Sequence, residues 1–232
     1  MSILPPPISK SIAFLIDLIK NPRSFFISLR YVPFRQALKI PIKVAHGFKF
    51  KDLGGKIIFD TPFIHKDMLQ LGYFGSTGHL EAKGAIYLFK GSTLVLKGCA
   101  FVSQGSLIRL GENSTLEFGN NFWCNNYGKF LVYTGTRLIF HPGVLVGLNV
   151  EFGTADGHSI YINSVKSNAP ADVSIGEHVW IGSCATISKG VSIASGCVIA
   201  RSSLVTKSFL TPDCILGGIP AKTLRTDIRW EV

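Results

Sequence analysis

The sequence predicts a mainly β protein: a parallel solenoid on a hexapeptide repeat, with a helical segment at its N-terminus. Three observations predict it. Between Asp172 and Lys207, aliphatic residues recur at every sixth position: Ile175, Ile181, Ile187, Ile193, Ile199 and Val205. The same period returns upstream in shifted phases, through Leu88 and Leu94, then Leu110, Leu116 and Phe122, then Val132, Leu138, Val144 and Val150. The chain also holds 24 glycines among 232 residues, which suits a fold made of many tight corners.

A period of six is neither helical nor that of a strand alone. It fits one short strand plus one turn, with one aliphatic side chain directed inward. Three such units make a triangular coil of 18 residues, and inward aliphatics of successive coils stack to fill the prism. Each phase change implies a residue inserted or deleted at a corner. Val150 and Ile175 are 25 positions apart, one more than four hexapeptides. The interval holds GTADGHSIYINSVKSNAPAD, so a loop leaves the coil at about 154–171 and ends at Asn168-Ala169-Pro170.

Pro5, Pro6 and Pro7 exclude a helix at the start of the chain. In SKSIAFLIDLIK, Ile12, Leu15, Ile16 and Ile19 have amphipathic helical spacing, capped by Ser9 or Ser11 and stopped by Pro22. A second segment sets Phe25, Phe26, Leu29, Phe34 and Leu38 among Arg23, Arg30, Arg35 and Lys39, and Pro33 divides it. Two compatible readings stand: a cap on the open end of the solenoid, and an interfacial helix on an anionic membrane surface. The chain divides into a basic, partly helical segment (1–45), the solenoid (46–215) and a tail (216–232).

Residues 1–56 carry seven Lys and three Arg against Asp17 and Asp52, so about +8 of the net +10 lies there. Such asymmetry suggests an anionic partner. No nucleic-acid motif accompanies it, so nucleic acid is not expected. The five cysteines are scattered without a CxxC pair, which fits reduced thiols in a cytoplasm. The apolar run IAFLIDLI is too short to span a bilayer and does not read as a signal peptide.

VSIGEHVWIGSCATISKGVSIASGCVIARSSLVTK, followed by LGGIPAK, resembles the hexapeptide-repeat acyltransferases, most of all the sugar O-acetyltransferases of bacterial surface-polysaccharide clusters. The resemblance implies a left-handed parallel β-helix, a homotrimer, acetyl-CoA as co-substrate, no required metal and a sugar hydroxyl as acceptor. Handedness comes from the resemblance, since chain physics alone favours right-handed crossovers. A cytoplasmic location is expected from the cysteines and the class, with the basic N-terminal segment as a peripheral contact at the inner membrane face. An amino sugar nucleotide acceptor, giving N-acetylation, is the neighbouring alternative.

Acyl transfer to a hydroxyl needs a base, and imidazole, with an ordinary pKa of about 6.5, suits that role. His158 stands in the loop, where the resemblance places the base. Asp156, two residues earlier, is positioned to orient an imidazole or to form a turn before Gly157. Trp180, in VWIG, matches the residue that lines the acyl-donor tunnel in the family, and it also suits packing between subunits. The neighbouring His178 is expected to be exposed. Lys207 and Lys222 match positions near the nucleotide end of coenzyme A. Arg201 stands where glycine is common. The backbone amides of Gly182, Ala200 and Ser202 are expected to bond the pantetheine arm, and amides near the Trp180 turn to hold the oxyanion. Asn125 and Asn126 resemble an acceptor-facing segment, or else form a stacked polar ladder. The six histidines include no pair four or five apart, which argues against a zinc enzyme on this scaffold. A non-catalytic interaction platform is the rival from another class.

Overall fold

The computed structural model describes residues 19, 21–73 and 82–231. The helix expected at 9–20 falls almost wholly outside them. Within the described residues, parallel strands wind through three faces. Face A has nine strands, from Ile42–Val44 to Ala221–Arg225; face B has seven and face C six. The coil runs from A to B to C and back, and each strand pairs with the equivalent strand one coil away.

The solenoid starts at Ile42, a few residues before the expected boundary. At the other end face A runs past residue 215, because Ile215–Gly218 pairs in parallel with Val198–Ile199 and then turns back antiparallel onto Ala221–Arg225. Ile219–Pro220 makes that turn with a cis peptide bond.

Beyond the longer first coils, in which Ile42 pairs with Leu69 and Phe50 with Ile86, and apart from the coil that carries the loop, the coil has two lengths. On face B, Ile86 pairs with Ile108, Ile108 with Phe130, and Phe130 with Phe152, so these coils hold 22 residues each. Ile187 then pairs with Val205, giving the expected 18. The uniform 18-residue coil is therefore corrected for the N-terminal half. There a strand such as Leu107–Leu110 buries two residues, Ile108 and Leu110, while Thr186–Ile187 buries one. Longer strands give the early coils a wider interior. Phenylalanines occupy it: Phe118, Phe122, Phe130, Phe140 and Phe152 are all buried. Phe130 stacks on Phe152 at 5.4 Å and meets Phe118 edge-on at 5.6 Å. The strict hexapeptide coils hold aliphatic residues instead, all buried: Ile175, Ile181, Ile187, Ile193, Ile199 and Val205. Four extra residues per coil account for the phase shifts seen upstream, since Leu94 pairs with Leu116 and Leu116 with Leu138.

At the N-terminal end, helix α1 (Pro22–Tyr31) and the single turn α2 (Phe34–Ala37) flank Pro33. Ser24 and Ser28 of α1 are fully buried, and their hydroxyls accept the backbone N–H groups of Val44 and Ile42 at 3.0 and 3.2 Å. These donors belong to the outermost strand of face A. An uncovered edge strand invites pairing with other chains, so α1 closes the end of the solenoid.

Truncation of Phe130 to alanine removes the ring at the centre of the aromatic cluster. The expected loss is about 3–5 kcal/mol of unfolding free energy, read as a shift in denaturant midpoint.

Candidate functional site

The excursion at 154–171 leaves the coil at the corner between faces B and C. Its neck is closed by the Ala171 N–H, which donates to the Thr154 carbonyl at 3.0 Å. Thr154 is itself buried, and its hydroxyl accepts the Tyr133 N–H at 2.7 Å and lies 2.7 Å from that of Thr136. Beyond the neck, Tyr161–Ile162 and Val165–Lys166 form an antiparallel hairpin, turned by Asn163 and Ser164 at positive φ. The side chains of Ile160, Tyr161, Ile162 and Val165 are more than half exposed.

His158 lies on this loop and is exposed. Its backbone is held and its ring is free. The Asn168 amide donates to the His158 carbonyl at 2.7 Å and to Asp156 at 2.9 Å, while its oxygen accepts the Ile160 N–H at 2.7 Å. Among the described residues the His158 imidazole has no hydrogen-bond partner. Asp156 does not orient it, contrary to the expectation. The Asp156 carboxylate is engaged instead by Lys189, from the next coil, and by Asn168. These two bonds, Lys189 first, hold its pKa below the usual carboxylate range. Asp156 thus fastens the loop to the solenoid wall. Lys189 and Asn168 had no signal of their own in the sequence, because the first comes from another coil and the second from the far side of the hairpin.

Trp180 lies on face A, in register with Leu145 below and Val198 above. Its side chain points outward and is 41% exposed. Face A lies across the prism from the B–C corner, so the fold of the chain does not bring Trp180 and His158 together. A second aromatic residue, which the sequence reading missed, stands beside Trp180. The C-terminal tail folds back so that Trp230 stacks flat on His178, with ring centroids 4.0 Å apart. The contact is clasped from both sides: the Trp230 indole donates to the His178 carbonyl, and His178 Nε2 lies 3.1 Å from the Trp230 carbonyl. Trp180 lies 5.9 Å from the Trp230 ring at a tilt of 44°. His178 is exposed, as expected, at a corner position with φ of 53°.

The amides expected to meet a cofactor are already used. The Gly182 N–H donates to the Ile199 carbonyl, that of Ala200 to Leu216 and that of Ser202 to Ser183. The Trp180 N–H likewise donates to Cys197. These four donors are thus engaged within the solenoid, each by a neighbouring coil. Gly182 has a structural reason of its own: a Cβ there would stand 2.6 Å from the Arg201 nitrogen and 2.7 Å from the Ile199 oxygen. Ser202 fills a left-handed corner, with φ of 57°.

Arg201, Lys207 and Lys222 are exposed on the late coils. Lys207 lies over the Phe209 ring at 5.6 Å. Asn126 is buried and its side-chain oxygen has no partner among the described residues. The Asn125 oxygen accepts the Trp123 indole N–H at 3.4 Å. Both sit at the A–B corner, away from the His158 loop of their own subunit. All five cysteines are free. No group of histidine, cysteine and carboxylate side chains among the described residues is placed to hold a metal ion.

Residues 172–207 match the family described as bacterial transferase hexapeptide (six repeats). Over 125 residues the chain is 30% identical to galactoside O-acetyltransferase of Escherichia coli (strain K12), covering 54% of this chain and 57% of that one. The chain thus spans little more than half the length of that relative. A longer match, 26% identical and covering 88% of each chain, is to an "uncharacterized 24.8 kDa protein in cps region" of Klebsiella pneumoniae. Among solved structures, that of the polySia specific acetyltransferase NeuO aligns with a TM-score of 0.53 at 22% identity, over 81% of this chain and 90% of that one. The fold is the left-handed parallel β-helix. The chain carries the bacterial transferase hexapeptide repeat over residues 172–207 and is similar over about half its length to galactoside O-acetyltransferase.

Replacing Asp156 by Asn, or Lys189 by Gln, should free the loop without disturbing the core. Tryptic cleavage at Lys166 should accelerate severalfold while the thermal midpoint stays nearly unchanged. Because the Asp156 pKa is lowered, its clamp is intact above the ordinary carboxylate range and opens only as pH falls through the lowered value. Amide exchange in the hairpin, followed toward acid pH, reads this directly.

Proposed function

We propose that the protein is an O-acetyltransferase that moves an acetyl group from acetyl-CoA to a sugar hydroxyl in surface-polysaccharide biosynthesis. The carrying observation is His158: an exposed imidazole without a hydrogen-bond partner among the described residues, on a loop whose backbone is fastened by Asn168 and Asp156. The kinship with galactoside O-acetyltransferase supports the acceptor class. The near full-length relative in a cps region supports the setting.

In this reading the acceptor hydroxyl gives its proton to His158 as its oxygen attacks the thioester carbonyl. The tetrahedral intermediate collapses by breaking the carbon–sulfur bond. The imidazolium then protonates the departing thiolate, so the base returns to its starting state. Holding the loop backbone while leaving the ring free keeps the imidazole near the acceptor at little entropic cost. Arg201, Lys207 and Lys222 are the candidates for the phosphates of coenzyme A.

The site is built between copies of the chain. Trp180 on face A and His158 at the B–C corner lie across the prism from each other, so a neighbour's face A must meet the loop. A loop passed from each copy to the next makes a head-to-tail contact, which closes into a ring. A homotrimer has this closure, and it would cover the exposed apolar hairpin at Ile160, Tyr161, Ile162 and Val165. Trp230 then stands beside Trp180 as a wall of the same site. The cytoplasm supplies the acetyl-CoA, and the five free cysteines agree with that compartment.

His158→Ala should lower turnover by about 10²–10⁴-fold, the usual contribution of a general base, with coenzyme A affinity within a few fold of wild type. Lys207→Ala should weaken coenzyme A binding and leave saturated turnover less affected. A His158→Ala protein with wild-type turnover would return the chain to the platform reading. Sedimentation should show a trimer at micromolar concentration, and a stable monomer there would refute the shared site.

A further inference from the structure

Helix α1 is amphipathic in the reverse of the usual sense. Its buried face is built of serines, Ser24 and Ser28, which satisfy the edge of face A. Ile27 and Tyr31 pack partly against the core beside them, but Phe26 and Leu29 point the other way. Phe26 is 67% exposed and Leu29 40%, and Phe34 beyond Pro33 is 60% exposed. Phe63 (81%) and Ile58 (44%) add to them from the neighbouring strand and loop, which are tied to the cap through the Lys39 ammonium on the Ile64 carbonyl. Closing the solenoid therefore does not account for these side chains. Single exposed hydrophobic residues need no explanation, but a group of them at one end of a molecule marks an interaction surface.

The charge of this end identifies the partner. Residues 21–66 hold nine Lys and Arg against Asp52 and Asp60. Arg30 and Lys56 flank a cavity of about 410 Å³ whose other lining residues are Tyr31, Gly55, Ile57 and Ile58. Neither cation pairs with a carboxylate among the described residues. A second copy of the chain would bring the same positive charge against itself. A surface that is apolar beneath and anionic above matches both features. No helix among the described residues is long and apolar enough to cross a membrane, so such contact would be peripheral.

We propose that the N-terminal end of the solenoid docks on an anionic lipid surface. Phe26, Phe34 and Phe63 enter the boundary between headgroups and acyl chains, and Arg30 and Lys56 meet lipid phosphates. The surface stands at the end of the solenoid where the first coil begins, coils away from the His158 loop, and does not depend on the acyl-transfer reading.

The test is co-sedimentation of the full chain with vesicles of phosphatidylcholine alone and of equimolar phosphatidylcholine and phosphatidylglycerol. Wild type should pellet with the anionic vesicles only. Arg30→Gln with Lys56→Gln should weaken binding about 25-fold, at about fivefold per basic residue. Phe26→Ser with Phe34→Ser should weaken it at least about tenfold, and Phe63→Ser, on a separate segment, by a smaller factor. All three phenylalanines are exposed, so thermal melting should be unchanged. Wild type that stays in solution with anionic vesicles overturns the proposal. So does undiminished binding by the Phe26/Phe34 variant, which would place the contact elsewhere in the chain. If that variant instead alters the sedimentation coefficient without lipid, a second copy covers the face and the proposal also fails.

Discussion

The parallel hydrogen-bond ladder is the constraint on which the rest of the structure depends. Each coil donates to the next at the same place on every face, so identical positions must stack. Their side chains must then share one size and one direction, since a register slip of a single residue would turn every inward side chain outward. The ladder also consumes the backbone donors at the corners. The N–H groups of Gly182, Ala200 and Ser202 are engaged in this way.

A ladder of this kind leaves few places where the chain can depart from the repeat. The loop at the B–C corner is one, and it needs a neck. Thr154 supplies it by turning its hydroxyl inward to Tyr133 and Thr136 and giving its carbonyl to Ala171. Asp156, Lys189 and Asn168 then fasten the excursion from outside. The order of these contacts sets what His158 can do: its carbonyl is fixed and its ring is not. The tail is the other departure. Trp230 reaches His178 across 52 positions of sequence and brings a second indole to Trp180.

A narrow prism has an inside large enough only for packing. Function must therefore lie on its faces, corners and ends, and in the proposed reading a second copy completes the site. The opposed positions of Trp180 and His158 follow from this geometry. The same reasoning applies at the N-terminal end, where the cap satisfies a strand edge with serines and leaves phenylalanines facing out.

The hexapeptide period determined the late coils from sequence alone, because the inward residues Ile175 to Val205 must match one another in a confined interior. It also located the loop, at the break between Val150 and Ile175 that the segment GTADGHSIYINSVKSNAPAD fills. The resemblance carried by the VWIG and GGIPAK segments directed attention to His158 and Trp180. Only the tertiary structure decided the 22-residue coils, because Phe118, Phe130 and Phe152 mark a wider interior through contacts that no local pattern encodes. The partner of Asp156 was decided there too: Asp156 and His158 are neighbours in sequence, yet the carboxylate goes to Lys189, 33 positions away. The fate of the corner amides and the direction of α1 were likewise decided by stacking. A repeat specifies which side chains are equivalent, and long-range packing decides what each of them touches.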